Sequence, residues 1–150
     1  MLNKEFIDDV RFRSFFMAGN LVCEYLVLFF KLSSTGWVSL TINEGVSEFT
    51  VLDSEPKLLD LIEIKDEFAY PVMSLGGLDK LLGLEILAVY EYRIKDVKDG
   101  CIGVYVDFGG FGVSIIESDG CLSIVEGMVQ CLERDISLCE MDLTNFQFSK

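Results

Sequence analysis

Residues 103–120 read GVYVDFGGFGVSIIESDG, and two features in that stretch have residue types that can handle a metal-bound phosphate. One is the triplet Asp107-Phe108-Gly109, whose aspartate would hold Mg²⁺ in a kinase. The other is the run Phe108-Gly109-Gly110-Phe111-Gly112, whose backbone amides could cradle a phosphate. Both require context. A kinase needs an H-R-D loop, a lysine on a strand that follows a G-x-G-x-x-G loop, and far more chain than 150 residues. A phosphate cradle leads from a strand into a helix, so that the helix amino terminus faces the anion. Here the glycines lead into Val113-Ser114-Ile115-Ile116, a strand-like run. The stretch therefore predicts a hairpin turn between two strands.

The remaining chemistry is narrow. The chain has no histidine, which removes Ser-His-Asp and Cys-His catalysis, histidine general bases and imidazole metal ligands together. Asp8 and Asp9 are adjacent, so they point in different directions and do not make an acid/base pair. The stretch from 96 to 107, DVKDGCIGVYVD, departs from a calcium loop at most ligand positions. Cys23, Cys101, Cys121, Cys131 and Cys139 are odd in number and show no C-x-x-C spacing. They predict neither a disulfide framework nor a zinc knuckle, and fit reduced cytoplasmic thiols acting as small buried hydrophobes. No catalytic, cofactor or metal site is assigned.

Composition bounds the partners. Hydrophobic residues make up 51% of the chain and proline only two positions, the balance of a packed globule, here a single domain over 1–150. The formal net charge of −13 repels nucleic acid and anionic lipid and favours a basic protein partner. The most apolar stretch, LVCEYLVLFF at 21–30, carries Glu24 and falls well short of the ~20 residues of a membrane span. It predicts a buried strand, and no membrane is expected as a partner.

The elements that must position these residues emerge from self-comparison. Displacing the sequence by 64 positions aligns 19–55 with 83–119 without a gap. It matches Gly19 with Gly83, Lys31 with Lys95, Gly36 with Gly100, Gly45 with Gly109 and Ser54 with Ser118. Apolar positions also match, among them Val38 with Ile102, Leu40 with Val104, Ile42 with Val106 and Phe49 with Val113. Three of the five identities are glycines at expected turns, where a positive φ gives glycine a reason to recur. Each copy predicts three strands, at 21–31, 37–42 and 46–52 and again at 85–95, 101–107 and 111–117. Asp107-Phe108-Gly109 then occupies the place of Asn43-Glu44-Gly45, a turn in both copies.

Helices are expected to be few. Leu2, Phe6, Ile7 and Val10 form a stripe that predicts a short amino-terminal helix within 2–16. Pro56 precedes KLLDLIE, a second candidate, and GLDKLLG at 77–83 suggests a turn of helix stopped by Gly83. After 121, CLSIVE predicts a strand and GMVQCLERDI a helix. The fold class expected is α+β, predominantly antiparallel β, built from two pseudo-repeated three-stranded units with a short amino-terminal helix and a few short helices.

Charge distribution points to a surface. No Lys or Arg occurs from 32 to 56, which holds Glu44, Glu48, Asp53 and Glu55. None occurs from 99 to 133, which holds Asp99, Asp107, Glu117, Asp119, Glu126 and Glu133. Such acids keep a greasy protein soluble. They also suit a face that docks onto a basic cleft, where complementary charge speeds association. Asp107, Glu117 and Asp119 are the candidate partner contacts. Trp37 and Tyr105 lie in matching strands, where core filling is the ordinary role; Tyr105 is retained as a candidate anchor.

The run G-x-x-I/V, then G-x-V/I-x-L/V-x-I/V-N/D-x-G, followed by IIESDGCLSI, resembles the small immunity proteins of bacterial polymorphic toxin systems. In this chain it covers 19–55 and 83–124. The resemblance implies a cytoplasmic, non-enzymatic protein that blocks a cognate toxin, often a nuclease, by tight binding. An adaptor, or a small-molecule binding module with a pocket between the two β units, is the alternative.

Overall fold

The structure is a computed structural model that describes residues 4–74, 76–130, 135–142 and 147–148. Among the described residues twelve strands follow one another: β1 (Ile7–Met17), β2 (Asn20–Leu32), β3 (Gly36–Asn43), β4 (Val46–Val51), β5 (Phe68–Ala69), β6 (Val72–Ser74), β7 (Ala88–Ile94), β8 (Cys101–Asp107), β9 (Gly112–Ser118), β10 (Cys121–Glu126), β11 (Ile136–Glu140) and β12 (Gln147–Phe148). Neighbours run in the order β11-β7-β8-β9-β10-β2-β3-β4-β12, with β1 against β2, β5 and β6. All pairings are antiparallel except β12 with β4, and the whole curls into a half-barrel around one core.

The segments 19–55 and 83–119 each hold a three-stranded antiparallel meander, β2-β3-β4 and β7-β8-β9. β3 and β8 match residue for residue at the displacement of 64, but the turns that follow them differ. Asn43 pairs with Val46 across a two-residue turn, Glu44-Gly45, whose φ values of 52° and 79° are both positive. Two positive φ values in succession match the twist of a tight hairpin. Asp107 pairs instead with Gly112 across four residues. Leu40 therefore faces Phe49, whereas Val104 faces Ile115 rather than Val113. The DFGG stretch closes a hairpin: Gly109 donates its N–H to Asp107 Oδ1 at 2.8 Å, and Phe108 donates to the Phe111 carbonyl at 2.9 Å.

β2 joins the halves. It pairs with β1 along nearly its whole length, with β3 over Leu28–Leu32, and with β10 at one residue pair, Tyr25 with Leu122. Ile7, Leu28, Leu40, Val89, Val104 and Ile115 belong to the continuous core between the sheets. At ~25 cal/mol per Å² of apolar surface, that core is the main stabilising contribution. A second, smaller cluster of Phe29, Trp37 and Val72 lies on the outer side. Arg11 stacks over Trp37 at 4.7 Å and Arg13 over Phe29 at 5.5 Å.

Three expectations are corrected. The amino-terminal helix is the strand β1. A register shift between Ile7 and Asp9 places Ile7 and Val10, three apart, on the same buried face, so a β-bulge imitates the spacing of a helical stripe. From Val10 onward Val10, Phe12 and Ser14 alternate inward, the strand period. The few short helices reduce to 3-10 turns at Leu61–Glu63 and Gly76–Leu81. KLLDLIE does not continue as a helix because Leu59 exchanges both backbone hydrogen bonds with Val72, at 2.9 and 3.0 Å, and is taken out of any i to i−4 ladder. Finally, Cys23 and Cys121 form a disulfide with Cα atoms 5.7 Å apart, beside the Tyr25–Leu122 pair. Cys101 is a buried free thiol and Cys139 an exposed one. Cys131 and its neighbours to 134 lie outside the described residues; of the expected 127–136 helix, 127–130 are not helical and Ile136 opens β11. CLSIVE forms β10, as its pattern predicts.

Candidate binding surface

The four candidate contacts separate into two groups. Tyr105 and Asp107 lie at the β8–β9 hairpin end, and Glu117 and Asp119 at the other end of β9. Asp107 pairs with Gly112, and Glu117 lies five positions along the strand from Gly112, a span of roughly 17 Å at ~3.3 Å per residue. One compact patch of all four is not what the fold builds.

Tyr105 is 8% exposed. Its ring lies over Gly112, where a Cβ would stand 1.9 Å from the phenolic oxygen, so only glycine fits beneath it. Burial first, then the charge of Asp107, raises the Tyr105 pKa. Trp37 is similarly buried, in the smaller cluster with Phe29 and Val72, so neither aromatic is displayed as a surface anchor. Asp107 is half-buried and caps its own turn through Gly109. Glu126, at this same end, is paired with Lys80, whose ammonium also lies 5.7 Å from the Phe111 ring centroid.

The opposite end gathers turns from both repeats. In the sheet order, the β7–β8 and β9–β10 turns lie at the same end, and the β3–β4 turn of the first repeat leans on the β7–β8 turn. The carbonyl of Gly45 accepts the N–H of Cys101 at 2.9 Å, and Ser47 Oγ donates to Glu91 Oε2 at 2.6 Å. Glu44, Asp96, Asp99 and Asp119 are exposed here and Glu117 half-exposed. Lys95 and Lys98 are the basic residues of the same turns, leaving acid in excess. Burial first, then the neighbouring Glu91, raises the Cys101 thiol to about 11, so it stays protonated and inert at this junction.

Tight turn geometry fixes these acids. Asp119 and Gly120 have φ values of 53° and 78°, like Glu44-Gly45, and Ser118 pairs with Cys121 across them. Glu117 Oε1 accepts the Gly120 N–H at 3.1 Å. Arg93 braces the β7–β8 turn by donating to the Lys98 carbonyl and lies 3.4 Å from Glu91. Several basic groups are thus turned inward: Arg11 pairs with Glu55 at 2.6 Å and donates to the Pro56 carbonyl at 2.7 Å, while Arg13 covers Phe29. The acids of the turns are left to set the field outside.

Sequence reasoning named Glu117 and Asp119 but not that their turn shares an end of the sheet with the turns of Asp96 and Glu44, a placement set by the long-range strand pairing. Asp119-Gly120 between two apolar runs was itself a hairpin signal. Between the two β units the interior is closely filled, with an apolar cavity of about 20 Å³ lined by residues such as Leu28, Phe49, Val106 and Ile124. Among the described residues no three His, Cys, Asp or Glu side chains are grouped to hold a metal ion, and no helix is long and apolar enough to cross a membrane. Compared with protein-family models, with curated proteins and with solved structures, the chain finds no match.

Proposed function

We propose that this chain is a non-enzymatic binding protein of the immunity type, which neutralises a cognate bacterial toxin by docking an acidic surface onto a basic protein cleft. The supporting observation is the convergence of three turns, drawn from both repeats, that display Glu44, Asp96, Asp99, Glu117 and Asp119 at one end of the half-barrel. Tight hairpins hold acids with little loss of freedom on binding, and a one-signed field speeds encounter with a basic partner. The partner is a basic protein, with a toxin nuclease as the leading class, and neither nucleic acid nor membrane is bound directly. The protein acts in the cytoplasm, where the Cys23–Cys121 bond is open to reduction.

The test is association with a toxin encoded beside the gene, at low and high salt. Reversing Glu117→Lys and Asp119→Lys together is expected to weaken binding strongly, since close interfacial charge pairs couple by ~1.5 to 7 kcal/mol. Asp107→Lys, at the far end, leaves affinity nearly unchanged. Salt slows association of the wild type, because steering is screened over ~8 Å at physiological ionic strength. Equal affinity for the double reversal, together with no salt dependence, rules the acidic surface out.

A further inference from the structure

Glu5 is 4% exposed, and every hydrogen bond its carboxylate receives comes from the Ser33-Ser34-Thr35 turn between β2 and β3. Ser33 Oγ donates to Oε2 at 2.9 Å and Ser34 Oγ to the same oxygen at 2.6 Å. The Ser34 N–H reaches Oε2 at 3.1 Å and Oε1 at 3.3 Å. The Thr35 N–H and Oγ1 donate to Oε1 at 2.7 and 2.5 Å. All these donors are neutral. Burial acts to raise the Glu5 pKa, but the hydrogen bonds of Ser34, Thr35 and Ser33 outweigh it and bring the pKa down to about 2.

Successive backbone N–H groups with flanking hydroxyls are the means by which proteins bind free oxyanions. What is unusual here is the source of the anion. Glu5 is delivered by an arm that is also held from its other side: Lys4 donates its N–H to the Ile86 carbonyl at 2.8 Å, Ile86 to that of Glu5 at 2.8 Å, Ile7 to that of Leu84 at 3.0 Å, and Gly83 to that of Ile7 at 2.7 Å. The donor set is complete without the arm's backbone, apart from Ser33, which exchanges hydrogen bonds with Phe6, donating its N–H to the Phe6 carbonyl and accepting the Phe6 N–H at Oγ, both at 3.0 Å.

We propose that the Ser33–Thr35 turn is a carboxylate-binding site in its own right, which Glu5 fills as a tethered ligand and which accepts a small free carboxylate when the Glu5 side chain is removed. Tethering gives Glu5 a high effective concentration, so the native site excludes competing acids. The Glu5→Ala protein leaves the cradle open with its donors unsatisfied, a state that a carboxylate of one or two carbons relieves.

The experiment uses ¹⁵N-labelled Glu5→Ala protein titrated with sodium formate against sodium chloride at equal ionic strength. The expected result is a saturable shift of the Ser34 and Thr35 amide resonances, with a formate-specific rise in Tm of ~3–5 °C at ten times the dissociation constant. The wild type, whose site is filled, shows neither, and Glu5→Ala with Ser34→Ala and Thr35→Ala loses both. Should Glu5→Ala fail to fold in chloride, refolding is compared in the two salts, and recovery in formate alone supports the site. No amide shift in a folded Glu5→Ala protein, an equal response from the triple variant, or no recovery in either salt overturns the proposal.

Discussion

The backbone N–H of Cys101 donates to the carbonyl oxygen of Gly45 at 2.9 Å, so the first residue of β8 in one repeat is fastened to the β3–β4 turn of the other. That contact brings the backbones closer than a side chain permits. A Cβ on Gly45 would lie 1.8 Å from the Asp99 carbonyl oxygen, and its φ is +79°. Gly36 has a similar φ of +88° but open space around it. Gly36→Ala should therefore cost only the left-handed backbone strain, ~1–2 kcal/mol. Gly45→Ala should cost clearly more, since backbone must shift. Urea unfolding of the two variants checks the order, and equal losses would mean the junction is not closely packed.

Tyr92 anchors the chain beyond β10. Its hydroxyl lies 2.7 Å from Ser114 Oγ and accepts the Val129 N–H at 3.0 Å, while Ser114 Oγ donates to the Gly127 carbonyl at 2.6 Å. Tyr92→Phe strands those groups in the interior and should cost ~1–3 kcal/mol. Amide exchange at Val129 should quicken more than exchange at Val104, deep in β8. Uniform quickening would show a general loss of stability instead.

Glu5 makes stability pH-dependent in a defined window. Its pKa falls from 4.5 to about 2 on folding, so its contribution is complete above pH 4.5 and disappears as pH falls toward 2. The contribution is on the order of 3 kcal/mol. Glu5→Gln should flatten the stability profile between those limits and lower stability at pH 7. Denaturant unfolding across pH 2–7 gives both curves. Parallel curves would mean that Glu5 gains nothing from its cradle.

Reduction is expected to weaken the fold without rearranging it. The Cys23–Cys121 bond closes a loop with a sequence separation of 98, and a loop of that size restricts the unfolded chain by ~3–5 kcal/mol. Unfolding midpoints with and without reductant, beside a Cys23→Ala/Cys121→Ala variant that should match the reduced protein, test this. A reductant effect persisting in the variant would point to other cysteines.

The strands were legible where one face is buried and turns are short. Val38, Leu40 and Ile42 in β3 and Val104 and Val106 in β8 carry the repeat because they pack against the same core. The match loosens after Gly109, where a four-residue turn replaces a two-residue one and ungapped comparison slips. β1 was misread because a bulge spaces Ile7 and Val10 as a helix would. The disulfide was invisible to spacing, since Cys23 and Cys121 meet only once β2 has received β10 at Tyr25. For the same reason the acids of the candidate surface could be named singly, Glu117 and Asp119 among them, while their neighbours Glu44 and Asp96 required the fold.

The Cys23–Cys121 bond also sets how far the polypeptide can be drawn out by its ends. Tension bypasses the loop, whose separation of 98 positions corresponds to ~330 Å of contour at ~3.4 Å per residue. With the bond intact, a motor threading the chain from either terminus meets a doubled strand at Cys23 or Cys121. The greater part of both repeats, from β2 to the start of β10, stays out of its grip until the bond is cut.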